Sequence, residues 1–180
     1  MRKVRRIVTG VNAAGRSCIL SDTQFPAGDV AADQPVRVGL WMTEASPASN
    51  KGTHDPVPDG VIMRTPPPHR GGSVIRITDI PPERTQRYDP EELRRRGCKT
   101  TPDRSAKHPG FHATDTVDYA ICLEGEVWAV LDDDETLMRP GEVLIQRGTY
   151  HAWANRSDRI ARMAFILIDA EPLDNHEETE

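Results

Sequence analysis

Val117-Asp118-Tyr119-Ala120-Ile121-Cys122-Leu123-Glu124-Gly125-Glu126-Val127-Trp128-Ala129-Val130-Leu131 decides the fold. Two apolar-rich runs of strand length flank a Glu-Gly-Glu turn, the signature of a β-hairpin. Asp132 to Glu135 then forms an acidic tip. Thr136–Met138, Val143–Gln146, His151–Ala154 and Arg162–Asp169 read as further short strands, with Arg139-Pro140-Gly141-Glu142 as a turn. Short strands at such even spacing predict a sandwich or barrel.

Working outward, the N-terminal part is looser. Thirteen of the 15 prolines precede Phe111. Arg5–Val11 and Ser17–Ser21 read as a hairpin around Asn12-Ala13-Ala14-Gly15, with its basic residues on a solvated strand face. Val36–Thr43 and Ser73–Ile80 are two more strands. Residues 45–72 are a proline-rich loop, long enough to cover a barrel mouth as a lid. Asp89-Pro90-Glu91-Glu92-Leu93-Arg94-Arg95-Arg96-Gly97 predicts one short helix, with Asp89 as cap and Gly97 as stop. Its arginine triplet reads as a solvated face near the negative pole of the helix.

Composition excludes several classes. The longest apolar run is six residues, Met163–Ile168, far below the ~20 that a membrane helix needs. Three separated cysteines give neither a disulfide framework nor a zinc pair, and they point to a reducing, cytoplasmic setting. With a net charge of −5, no nucleic-acid partner is expected. The chain is therefore expected to be one domain over 1–180, with a hairpin extension at 1–35, a core at 111–169 and an acidic tail at 170–180.

The chemistry concentrates after Phe111. If 112–118 is a regular strand, His112, Thr114, Thr116 and Asp118 share one face. His151 follows a later turn, with Trp153 and Asn155 on its parity. Two imidazoles and a carboxylate match a 2-His-1-carboxylate metal site, with open positions for substrate or dioxygen.

The pattern His112-x-Thr114-x3-Asp118-x6-Gly125, followed by Gly141-x4-Gln146-x-Gly148-x2-His151-x3-Asn155, resembles the paired motifs of the cupin superfamily. The run Gly141–Ser157 resembles its small cupin-2 branch. The resemblance implies an all-β fold, an antiparallel barrel of the jelly-roll or double-stranded β-helix kind, here with extra N-terminal strands and one short helix. It implies a divalent metal ion (Fe, Mn, Zn, Ni or Cu) on His112, Asp118 and His151, and a homodimer. Thr114 stands where the family usually has a second histidine, Asp118 where it has glutamate, and Gln146 where it has proline.

The function so implied is a metal-dependent enzyme acting on a small organic acid or an aromatic or polyketide-like molecule. Decarboxylase, isomerase, dehydratase and dioxygenase chemistry are all compatible, so the class stays open among lyase, isomerase and oxygenase. The alternative is a non-catalytic small-molecule-binding barrel with a degenerate metal site. Thr114, Gln146 and Trp153 are the candidates for contact with substrate or with the reacting groups. His108 is a conceivable replacement ligand that reads more simply as a loop residue. Cys122 reads as a buried inert thiol, and Asn155 as a tie to backbone near His151. His54, His69 and His176 carry no assigned role.

Overall fold

The structure is a computed structural model that describes residues 3–25, 33–61, 67, 69–100 and 107–173. Ten strands follow in order: β1 (Val4–Val11), β2 (Ser17–Phe25), β3 (Val36–Thr43), β4 (Ser73–Ile80), β5 (Thr116–Glu124), β6 (Val127–Val130), β7 (Glu135–Met138), β8 (Val143–Arg147), β9 (Ala152–Ala154) and β10 (Ala161–Asp169). A short helix, α1 (Pro90–Arg95), lies between β4 and β5. Asp89 caps it by accepting from the Glu91 N–H at 2.9 Å.

Three antiparallel sheets result. One is the β1–β2 hairpin, one has the order β3-β4-β10-β5-β8, and one has the order β7-β6-β9. The central strand β10 pairs with β4 on one side and β5 on the other, so Leu167 sits opposite both Val74 and Asp118. Its apolar sequence follows from that position, since a central strand covered on one face by a second sheet has little contact with water. The inward residues Met163, Phe165 and Leu167 meet Val127 and Ala129 of β6 and Met138 of β7, closing the two larger sheets on one core. Burying each of the large side chains contributes roughly 1.5–3 kcal/mol.

Gly125 makes the β5–β6 turn with φ +74°, and a Cβ there would lie 2.9 Å from the Ala161 Cα. Both the positive φ and the close approach require glycine. No other residue type serves this turn without moving β10.

Four expectations need correction. First, 112–118 is not one regular strand. His112 and Ala113 form isolated bridges, to His151 and Lys99, and β5 begins only at Thr116. The chain bends at Asp115, whose carboxylate takes the Lys99 ammonium at 2.8 Å. Second, the basic start of the chain is not uniformly solvated. Arg5 forms an exposed pair with Asp22, whereas Arg6 is buried, bonds Asp55 and the Leu40 and Val57 carbonyls, and stacks on Phe25. Third, the described part of the 45–72 loop is bound to the hairpin through that Arg6 clamp and lines no part of the barrel cavity. Fourth, Arg96 leaves the solvated face of its triplet and turns inward, while Arg94 and Arg95 pair with Glu91, Glu92 and Asp89.

Candidate functional site

The barrel encloses a cavity of about 110 Å³. Strands β3, β4, β5, β9 and β10 supply its walls, and α1 with the 86–89 segment forms its rim. His112, Asp118, His151 and Trp153 all line it. Residues that the sequence singled out thus share one cavity, with two histidines arriving from different turns.

The two histidines are held as a pair. Each backbone N–H donates to the other's carbonyl at 2.9 Å. The rings lie with centroids 4.5 Å apart. His112 Nδ1 is 2.8 Å from the Gly110 carbonyl, and His151 Nδ1 is 2.9 Å from the Thr149 carbonyl. A carbonyl only accepts, so each Nδ1 carries the proton and each Nε2 keeps its lone pair. This backbone anchoring is what fixes the orientation of a ligating imidazole. Both rings stay neutral well below the usual imidazole range. Burial is the main cause at each, and it pushes His151 down to about 4. The neighbouring His151 and the cationic Arg76 and Arg37 add to the effect at His112.

Asp118 projects from β5 with its carboxyl pushed up to about 6 by burial, against the opposing pull of the Thr116 hydroxyl and Arg76. Its Oδ1 is buried and has no hydrogen-bond partner among the described residues. The donor chemistry thus fits a divalent cation: two neutral imidazoles and one carboxylate with an unused oxygen. Among the described residues, however, no three His, Cys, Asp or Glu side chains draw together closely enough to enclose an ion.

The other candidates divide. Trp153 walls the cavity, edge-on to His151 at 5.5 Å and to Phe165 at 5.2 Å. Thr114 is buried but does not line the cavity, and its hydroxyl shares a 2.7 Å bond with the Thr116 hydroxyl. Gln146 also stays out of the lining; its amide donates to the Thr149 carbonyl at 2.8 Å. That carbonyl is the one that orients His151, so Gln146 supports the site from behind. Cys122 packs in the core, and burial pushes its thiol up. Asn155 donates to the Ile80 and Arg159 carbonyls at 2.8 and 2.7 Å, tying the end of β9 to β4. His108 lines the cavity, but its Nδ1 accepts from the Gly110 N–H and its Nε2 faces Glu83 at 3.1 Å. It is a structural residue of the rim.

Sequence reasoning missed Arg37 and Arg76, and it put Arg96 on a solvated face in preference to an anion site. Arg37, Arg76 and Arg96 all line the cavity. Burial, with mutual repulsion next, pushes Arg37 down to about 9 and Arg76 to about 10. The available signal was Arg76 within Ser73–Ile80, where alternation places it on the face of Val74 and Thr78. Arg37 pairs with Thr78 across β3 and β4 and so shares that face.

Known proteins agree with this architecture. The chain is 29% identical over 180 residues to Phomopsin biosynthesis cluster protein C' of Diaporthe leptostromiformis, spanning 97% of this chain and 82% of that one. It is 28% identical over 175 residues to the cupin-domain-containing oxidoreductase fogC of Aspergillus ruber, spanning 94% and 74%. The paired motifs lie on the neighbouring strands β5 and β8 and at the start of β9. The chain is similar to cupin-domain proteins. No protein-family model matches it. Among solved structures it is similar to the cupin domain of Cnp3 from Schizosaccharomyces pombe, at 9% identity and a TM-score of 0.46, over 93% of this chain and 89% of that one. Of the residues in the two motifs, His112, His151 and Asp118 line the cavity and Thr114 does not.

Proposed function

We propose that this protein is an enzyme acting on a small organic acid or aromatic molecule inside its barrel, with His112, His151 and Asp118 as donors to a divalent metal ion. The observation that carries this reading is the pair of Nδ1-anchored, neutral imidazoles whose Nε2 lone pairs are left for a ligand. Bound there, the ion would supply Lewis-acid or redox chemistry. Relatives named as cupin-domain-containing oxidoreductases support the redox option.

The chain's own residues do the rest. The Gly110 and Thr149 carbonyls hold the two rings in one tautomer. While no ion is bound, Asp118, with its carboxyl raised to about 6, can hold or release a proton near neutrality. Trp153 and Phe165 present aromatic walls that exclude water from a flat ligand.

The test is metal content of protein purified from metal-replete medium. Near-stoichiometric divalent metal, lost in His112→Ala and in His151→Ala, is expected. A metal-free wild-type protein would overturn the proposal.

A second reading, a non-catalytic barrel that binds a small molecule, is favoured by one observation. Thr114 replaces the usual imidazole and spends its hydroxyl on Thr116. Specific binding of a small acid without metal, and with no change to that acid, would select it.

A further inference from the structure

The cavity has a cationic end. Arg37 reaches it from β3, Arg76 from β4, and Arg96 from just beyond α1. The three guanidiniums lie close enough to repel one another through the protein interior. Arg76 lies over the Phe165 ring, its Cζ 5.5 Å from the centroid. Arg37 donates to the Pro35 carbonyl at 3.3 Å. Arg96 lies 3.9 Å from Glu92, with a side chain only 14% exposed. Its Nη2 is buried without a hydrogen-bond partner among the described residues.

The acids around them are few and mostly engaged. Asp89 caps α1 and pairs with Arg95. Glu92 is shared between Arg95 and Arg96. At the mouth, Arg87 pairs with Asp33 at 3.4 Å. Asp118 is the further carboxylate of the described lining, and of the three guanidiniums Arg76 is the one that acts on it.

Burying three like charges close together is costly, because charge in a low-dielectric site needs compensation. Residues held at such a cost mark functional positions rather than stabilising ones. A carboxylate matches a planar guanidinium fork and takes paired N–H bonds. The same cavity is lined by Trp153, Phe165, Tyr88 and Ile80, which suit an apolar or aromatic body rather than a phosphate ester or a sugar.

We infer that Arg37, Arg76 and Arg96 form the anion-recognition end of the barrel and take the carboxylate of an aromatic acid, laying its ring against the wall that Trp153 and Phe165 form together. This deepens the reading that the barrel interior is a ligand site, and it is independent of whether metal is bound. The substrate class is thereby narrowed from small organic molecules in general to aromatic carboxylates.

The probe is benzoate, with benzamide as a neutral isostere, titrated calorimetrically into the full chain in chelated and in metal-loaded buffer. Benzoate is expected to bind in both buffers, at least about tenfold more tightly than benzamide, since charge-assisted pairing is worth a decade or more. Arg96→Gln and Arg37→Gln should each weaken benzoate about tenfold or more and leave benzamide unchanged. Neither should lower the melting temperature, because each removes repulsion; a purely structural arginine would lower it. His112→Ala should keep benzoate binding in chelated buffer. Equal affinity for acid and amide, no benzoate binding at about 10 mM, or arginine variants that bind as wild type would each overturn the inference. Loss of metal stoichiometry with benzoate binding intact would instead count against the metal reading alone.

Discussion

His112 and His151 exchange both backbone hydrogen bonds at 2.9 Å and commit both Nδ1 atoms to carbonyls. This isolated bridge joins the turn before β5 to the start of β9, and it aims two Nε2 lone pairs into one cavity. The site is therefore built by backbone pairing, with side-chain tautomers following from it. Four predictions derive from the arrangement.

The first concerns pH. An imidazole held at about 4 when folded and ~6.5 when unfolded binds fewer protons in the folded state across that window. Stability from His151 is full above ~6.5 and is lost as pH falls toward about 4, and His112 acts in the same direction. Asp118 has the opposite sign. Its raised carboxyl, at about 6, favours the folded state below ~3.9, and that contribution is lost as pH rises through about 6. Urea midpoints in chelated buffer should therefore fall from pH 7 to pH 4.5, and fall more steeply in Asp118→Asn. A flat wild-type profile would show that the histidines are not held neutral.

The second concerns the sheet. Arg162 of β10 grips Asp79 of β4 through two bonds of 2.6 and 2.7 Å, with the Asp79 side chain only 5% exposed. Arg162→Met leaves that carboxylate buried without its guanidinium, at a cost of about 3–5 kcal/mol. Adding Asp79→Leu should recover most of the loss. Denaturant titration of the two variants measures both, and a double variant no better than the single would refute the pairing account.

The third concerns support from behind. Gln146 donates to the same Thr149 carbonyl that orients His151. Gln146→Ala should lower metal affinity about tenfold, the low end of what removing such a second partner costs. Gln146→Glu, which cannot donate when ionised, should not rescue it. Competition with a chelating dye reads the affinity directly.

The fourth concerns Thr114. Because it lies outside the cavity lining and bonds Thr116, Thr114→His should not add a metal ligand. It should instead overpack a buried position and destabilise by roughly 1–3 kcal/mol. A gain in metal affinity, measured by the same dye competition, would show that the position faces the site after all.

Much of this was legible in the sequence. Strands β3 and β4 run over the residues that the sequence pattern assigned, since β4 keeps one face buried and β3 pairs along it. The β5–β6 hairpin was fixed by Gly125, whose backbone no other residue adopts without displacing Ala161. His112, His151, Asp118 and Trp153 share one cavity because the two motifs that carry them fold onto neighbouring strands and turns. The break at Asp115 was not legible, because Lys99, the residue that holds the bend, is distant in the chain. Arg96 was misplaced for a related reason. A helix terminus one turn from solvent reads as exposed until the barrel mouth is seen beside it. Arg6 failed likewise, its partner Asp55 lying in a loop without periodicity.

Anomalous diffraction from crystals of metal-replete protein, at the absorption edge of the metal found, tests the central claim most directly. The account predicts one peak in the barrel, about 2.0–2.2 Å from the Nε2 atoms of both His112 and His151. No peak in the barrel, or a peak that neither Nε2 reaches, would contradict it.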